Sequence, residues 1–123
     1  FIYVGISGTQ NKPVEKRNPR SRIKHHSSGR RSGDQFCVYV HDFFVLPEII
    51  KSGTYKPRRG YLDKLTKEFI HKNLRLRFKA FHTENSVRIV RDLEGKIKKG
   101  VFGFPPPSLN GVATQGHDNL KLI

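Results

Sequence analysis

Methionine is absent from this 123-residue chain, and cysteine occurs once, at Cys37. A lone cysteine excludes an internal disulfide. It also excludes a zinc module built on several thiolates or on a Cys/His set at fixed spacing. A reducing, intracellular setting, cytoplasmic or nucleoid-associated, is the expectation. Long apolar runs are missing as well: no stretch approaches the roughly 20 residues that cross a bilayer, and none has the pattern of a secretory signal. With no methionine and Phe1 in first place, the chain is read as part of a longer protein. Acidic residues are scarce, 10 against 24 Lys and Arg, which leaves a formal charge of +14. A small domain ordinarily carries a charge of magnitude about 2–8. An excess this large argues for a polyanionic partner, nucleic acid ahead of an anionic membrane surface.

What is present suits one modest core: nine Phe, four Tyr and a hydrophobic fraction of 35%, in a chain of single-domain length. The domain is expected over 1–110, with a tail over 111–123. Phe1 to Ser7 is β-branched and aromatic and reads as a strand. A polar loop follows. Asn18-Pro19 then suits the start of a short helix over Ser21 to Ser27, ending near Gly29. Gln35 to Val40 reads as a strand buried on both faces, and His41 to Pro47 as a turn or extended segment. One helical turn over Pro47 to Lys51 would stop at Gly53. Tyr61 to Asn73 carries Leu62, Leu65, Phe69 and Ile70 at helical spacing. Leu74 to Ala80 alternates apolar and basic residues, the pattern of a half-buried strand with a cationic outer face. Thr83 to Lys99 reads as a helix with Thr83 as N-cap and Gly100 as C-cap.

Three groups of residues are suited to chemistry. Glu94 falls on the same helical stripe as Val87, Val90 and Ile97. A carboxylate on an apolar face must be paired with a cation, protonated or bound to a metal. A hard oxygen donor of this kind suits Mg²⁺, which keeps several waters and often takes only one or two protein carboxylates. Arg22 and His26 stand i, i+4 on one short helix, so they point the same way. Arg presents a fork matched to phosphate oxygens, and His can donate to a phosphate or move a proton. His25 lies next door, and spacing leaves open which of the two faces inward. Tyr3 precedes Gly5 by two residues, a glycine position where a ligand or another backbone can approach closely. An ordinary phenol is a poor base at neutral pH, so a chemical role for Tyr3 needs cations that stabilise the phenolate.

Taken in order, these residues resemble the GIY-YIG nuclease superfamily. Tyr3-Val4-Gly5, with Ser7 after it, looks like the second half-motif. Arg22-Ile23-Lys24-His25-His26 matches the Arg-x-x-x-His helix. Arg91-Asp92-Leu93-Glu94 resembles the helix with the metal-binding Glu, and Leu109-Asn110 the closing Leu-Asn pair. The first half-motif, Gly-Ile-Tyr, is not in this chain. The Gly8 to Arg20 loop is longer than the family's short connection. The resemblance implies an α+β fold, a small three-stranded, mainly antiparallel sheet flanked by helices, here lacking its first strand. It also implies metal-dependent phosphodiester hydrolysis with Mg²⁺ or Mn²⁺ held by Glu94. Tyr3 would orient or deprotonate the attacking water, Arg22 would bind the scissile phosphate, His26 would hydrogen-bond Tyr3 or the phosphate, and Asn110 would organise the edge of the site.

The cations cluster. Lys12 to Arg31 holds eight against Glu15, and Lys51 to Lys79 holds ten against Asp63 and Glu68. One such cluster fits a solvated face; two on one domain point to a surface that tracks phosphates, with Lys12, Arg20, Lys24, Arg30, Arg31, Arg58 and Arg59 as its contacts. Tyr55 and Tyr61 beside Arg58 and Arg59 can stack on bases or pack. DNA is the expected partner and RNA is left open; no membrane partner is expected. A non-catalytic basic binding module explains the charge equally well, whereas a carboxylate set among cations has no use on a pure phosphate-binding face. In either case affinity for DNA should fall steeply with salt, the log–log slope gaining about −0.9 for each phosphate neutralised. A flat salt response in fluorescence anisotropy would reduce both clusters to solvated surface.

Overall fold

The computed structural model describes residues 2–7, 19–100 and 103–110. Among them lie α1 (Arg20–Ser27), α2 (Gln35–Val40), a π-helical turn (His41–Val45), α3 (Leu46–Ser52), α4 (Tyr61–Asn73) and α5 (Ser86–Lys98). No strand is found among the described residues, so the three-stranded sheet expected from the sequence is overturned. The chain divides into two compact units, one of Asn18–Phe78 and one of Phe1–Arg17 with Lys79–Ile123. No helix among the described residues is long and apolar enough to cross a membrane.

The largest correction falls on Gln35 to Val40, which is helical and not a buried strand. A short apolar run has no periodicity of its own that separates the two states. Its start and its continuation decide. Asp34, in extended geometry, accepts a hydrogen bond from the Cys37 backbone N–H at 3.0 Å, which is an N-cap. Downstream, the buried positions Phe36, Cys37, Val40, His41, Val45 and Ile49 keep helical spacing through α2, the π turn and α3. His41 to Val45, expected as a turn or extended, is therefore helical too. The Leu46 N–H bonds back to the His41 carbonyl, five residues earlier. The widening falls just before Pro47, which has no N–H to give and whose ring crowds the carbonyl four residues back. The helix stops as expected at Gly53, whose φ of 62° is left-handed and whose N–H bonds Ile49 O at 2.9 Å.

Helix α4 spans the residues that its apolar spacing indicates. It buries Thr66 and Ile70 and stacks Phe69 on Phe44 of the π turn, ring centroids 5.1 Å apart. Helix α1 buries none of its own side chains. It is held at its C-terminal end: the His71 Nε2 of α4 lies 2.9 Å from Ser27 O, and Arg31 Nε donates to Asp63 Oδ1 at 2.7 Å. Between these, Gly29 sits in left-handed geometry, φ 72°, flat against the α4 backbone at Asp63 and Lys67.

Leu74 to Ala80 is extended but pairs with no strand, and Leu76 and Phe78 are 62% and 76% exposed. The expected half-buried strand is thus a strand-like pattern without the neighbour that would cover its apolar face. In the other unit, residues 2–7 are likewise extended without a ladder. Helix α5 begins three residues later than Thr83; Asn85 is its N-cap, and the Ser86 N–H bonds Thr83 O at 3.0 Å. Leu109 is fully buried, and its N–H donates to Ile2 O at 2.8 Å.

A Cβ at Gly29 would be driven into the Lys67 N and Asp63 O of α4, and left-handed backbone is strained for any L side chain. Gly29→Ala should therefore cost at least about 2 kcal/mol, read from the urea midpoint. An unchanged midpoint would show that α1 is not anchored at this corner.

Candidate functional site

In the Asn18–Phe78 unit, α1 presents Arg22 and His26 one turn apart. Arg22, Arg20 and Lys24 are exposed, as is Arg30 just beyond the helix. The structure decides between the two histidines: His25 is exposed and His26 is half-buried. Nδ1 of His26 lies 2.8 Å from Oδ2 and 3.1 Å from Oδ1 of Asp34, and its ring packs at 54° on Phe36, centroids 5.0 Å apart. Asp34 was not among the residues singled out from the sequence. The signal was there, an Asp directly before an apolar run, which is a helix start, but it loses its meaning once the run is read as a strand.

The remaining basic residues divide. Arg31 is engaged with Asp63 and so serves the fold as well as any surface role. Arg58 and Arg59 line a shallow cleft of about 370 Å³ with Lys56, Tyr61 and Lys64 at the start of α4. The two tyrosines there pack on each other edge to face, 6.4 Å between centroids, and Tyr61 donates its hydroxyl hydrogen to Thr54 O at 3.2 Å. Lys12 lies outside the described residues.

In the second unit, Tyr3 is half-buried, in an extended segment held by the far end of the chain. The Asn110 side chain grips the backbone of Val4 from both sides: Oδ1 accepts from the Val4 N–H at 2.6 Å and Nδ2 donates to Val4 O at 2.7 Å. With the Leu109–Ile2 bond, this joins two motifs separated by 106 residues. Glu94 stands on the half-buried stripe of α5, its side chain 18% exposed, with Oε1 3.2 Å from Lys98 Nζ one turn on. Of the readings its position allows, pairing with a cation is the one observed. No group of three or more His, Cys, Asp or Glu that could hold a metal is found among the described residues. A single carboxylate still fits an ion that keeps most of its waters, with Lys98 as the competitor for it.

Cys37 is fully buried beneath α1, its Sγ 3.4 Å from His26 O and 3.7 Å from His25 O. Burial above all, with the charge of Asp34 second, pushes its thiol up from 9.0 to about 11. A folded value above the unfolded one means that the neutral thiol supports the fold up to about pH 9, and that this support is lost as pH rises toward 11. The stability of the wild type should therefore fall more steeply over that interval than that of Cys37→Ala, measured by urea unfolding at each pH. Parallel curves would contradict it.

The chain matches no family model, and neither a curated protein nor a solved structure is similar to it.

Proposed function

We propose that this chain is a nuclease domain that hydrolyses phosphodiester bonds of DNA with one divalent ion, Mg²⁺ or Mn²⁺. The observation that carries the reading is the Asn110 grip on Val4. It brings together the Tyr3-Val4-Gly5 and Leu109-Asn110 motifs, the first and last of the ordered set that resembles the GIY-YIG family. Asn110 positions Tyr3 by fixing the backbone of the next residue. Tyr3 orients or deprotonates the attacking water. Arg22, exposed on α1, binds the scissile phosphate and stabilises the charge that builds on its oxygens, ordinarily the largest contribution in such a site. His26 donates to the phosphate or moves a proton. Glu94 would hold the divalent ion, which when bound supplies Lewis acidity for departure of the 3′ oxygen. The charge of +14 supports binding of the polyanion in the first place.

A second reading, a non-catalytic basic nucleic-acid-binding module, is favoured by one observation: the Glu94 carboxylate is already matched by Lys98. The two separate cleanly in a cleavage assay with supercoiled plasmid and with RNA, in Mg²⁺, Mn²⁺ or EDTA. A nuclease converts one substrate only when the ion is present. Glu94→Ala should abolish that conversion while leaving DNA affinity intact or raised, and Arg22→Ala should slow it by about 10²-fold or more. Binding without cleavage under every ion condition would establish the second reading.

A further inference from the structure

Asp34 does more than a helix cap requires. Capping α2 needs one acceptor, and Oδ1 supplies it to the Cys37 N–H at 3.0 Å. Oδ2 is directed instead at Nδ1 of His26, 2.8 Å away, and Oδ1 adds a longer contact of 3.1 Å to the same nitrogen. The Asp34 side chain is only 9% exposed, so little water competes for it. Phe36 closes over the ring from the side.

We propose that Asp34 is a positioning residue for His26: its carboxylate fixes the neutral imidazole as the Nδ1–H tautomer, so that Nε2 is the nitrogen that accepts or delivers the proton in phosphodiester cleavage. An ionised carboxylate only accepts hydrogen bonds, so the nitrogen facing it must carry the hydrogen. The lone pair of the neutral ring is then on Nε2. A carboxylate behind a histidine also sets ring orientation and steadies the imidazolium once it forms. Asp34 does this from the start of α2, and Arg22 stands one turn from His26 on α1, so one helix face offers a phosphate fork and an oriented imidazole. The role in cleavage rests on the nuclease reading above; the tautomer does not.

The two are therefore measured separately. Asp34→Ser keeps a good N-cap but is too short to reach the ring. Asp34→Asn keeps both a cap and an acceptor without the charge. Long-range ¹⁵N–¹H spectra in alkaline buffer, with the His26 signals assigned by their loss in His26→Asn, report the tautomer. The expected result is Nδ1–H in the wild type, a shift to the Nε2–H form in Asp34→Ser, and partial recovery in Asp34→Asn, with far-UV circular dichroism unchanged. Cleavage at saturating DNA should fall by about 10²-fold or more in Asp34→Ser and recover in part in Asp34→Asn, with DNA affinity held. An Nε2–H wild type, or a tautomer indifferent to Asp34→Ser, overturns the proposal. So does a shifted tautomer with an undiminished rate. A wild type that holds Nδ1–H yet cleaves nothing overturns the nuclease reading and supports the positioning alone.

Discussion

One carboxylate ties the larger helical unit together. Asp34 begins α2 by accepting from the Cys37 N–H, and the same group holds the His26 ring of α1. Were the segment a strand, Asp34 would have no helix to cap. Were it an Asn or Ser, the cap would persist and the hold on His26 would weaken or vanish. The start of the helix at residue 35 is thus coupled to the orientation of a ring eight residues earlier. Cys37 reinforces the link, since its thiol reaches the carbonyls of His25 and His26 from within the core.

Helix α1 shows what such links are for. It is short, strongly basic and buries nothing of its own, so the usual source of helix stability, an apolar face against a neighbour, is missing. Its anchors are all at the C-terminal end: His71 at the Ser27 carbonyl, the Gly29 corner against α4, Arg31 on Asp63 and the His26–Asp34 pair. The opposite side of the helix is left to Arg20, Arg22 and Lys24, all exposed. A helix held by its end and its turn can devote the rest of its surface to cations that would otherwise disfavour packing.

The other unit uses a different device. The extended segment that contains Tyr3 has no ladder, so its backbone groups are satisfied from elsewhere. Leu109 and Asn110 provide partners for Ile2 and Val4, and the buried Leu109 side chain makes this a packed contact as well as a polar one. A primary amide is suited to the task because it offers one acceptor and one donor side by side, which matches the C=O and N–H of a single extended residue.

Much was legible from residues alone. The charge of the chain, the extent of α4, the stop at Gly53 and the shared face of Arg22 and His26 all follow from local chemistry: composition, helical spacing and the glycine that a left-handed stop requires. The inward tilt of Glu94 was also visible as a break in an apolar stripe, though not that Lys98 meets it. What local pattern left undecided was helix or strand in short apolar runs. Gln35 to Val40 became helix because its cap and its continuation on to Ile49 favour one face; Leu74 to Ala80 kept strand geometry but found no neighbour to make it a strand. Strand pairing, the choice of His26 over His25, the Asp34 partner and the grip of Asn110 on Val4 all join residues far apart in sequence or on separate elements. Only the folded chain decides these, because hydrogen bonds and burial depend on which groups meet in space, not on which are neighbours along the backbone.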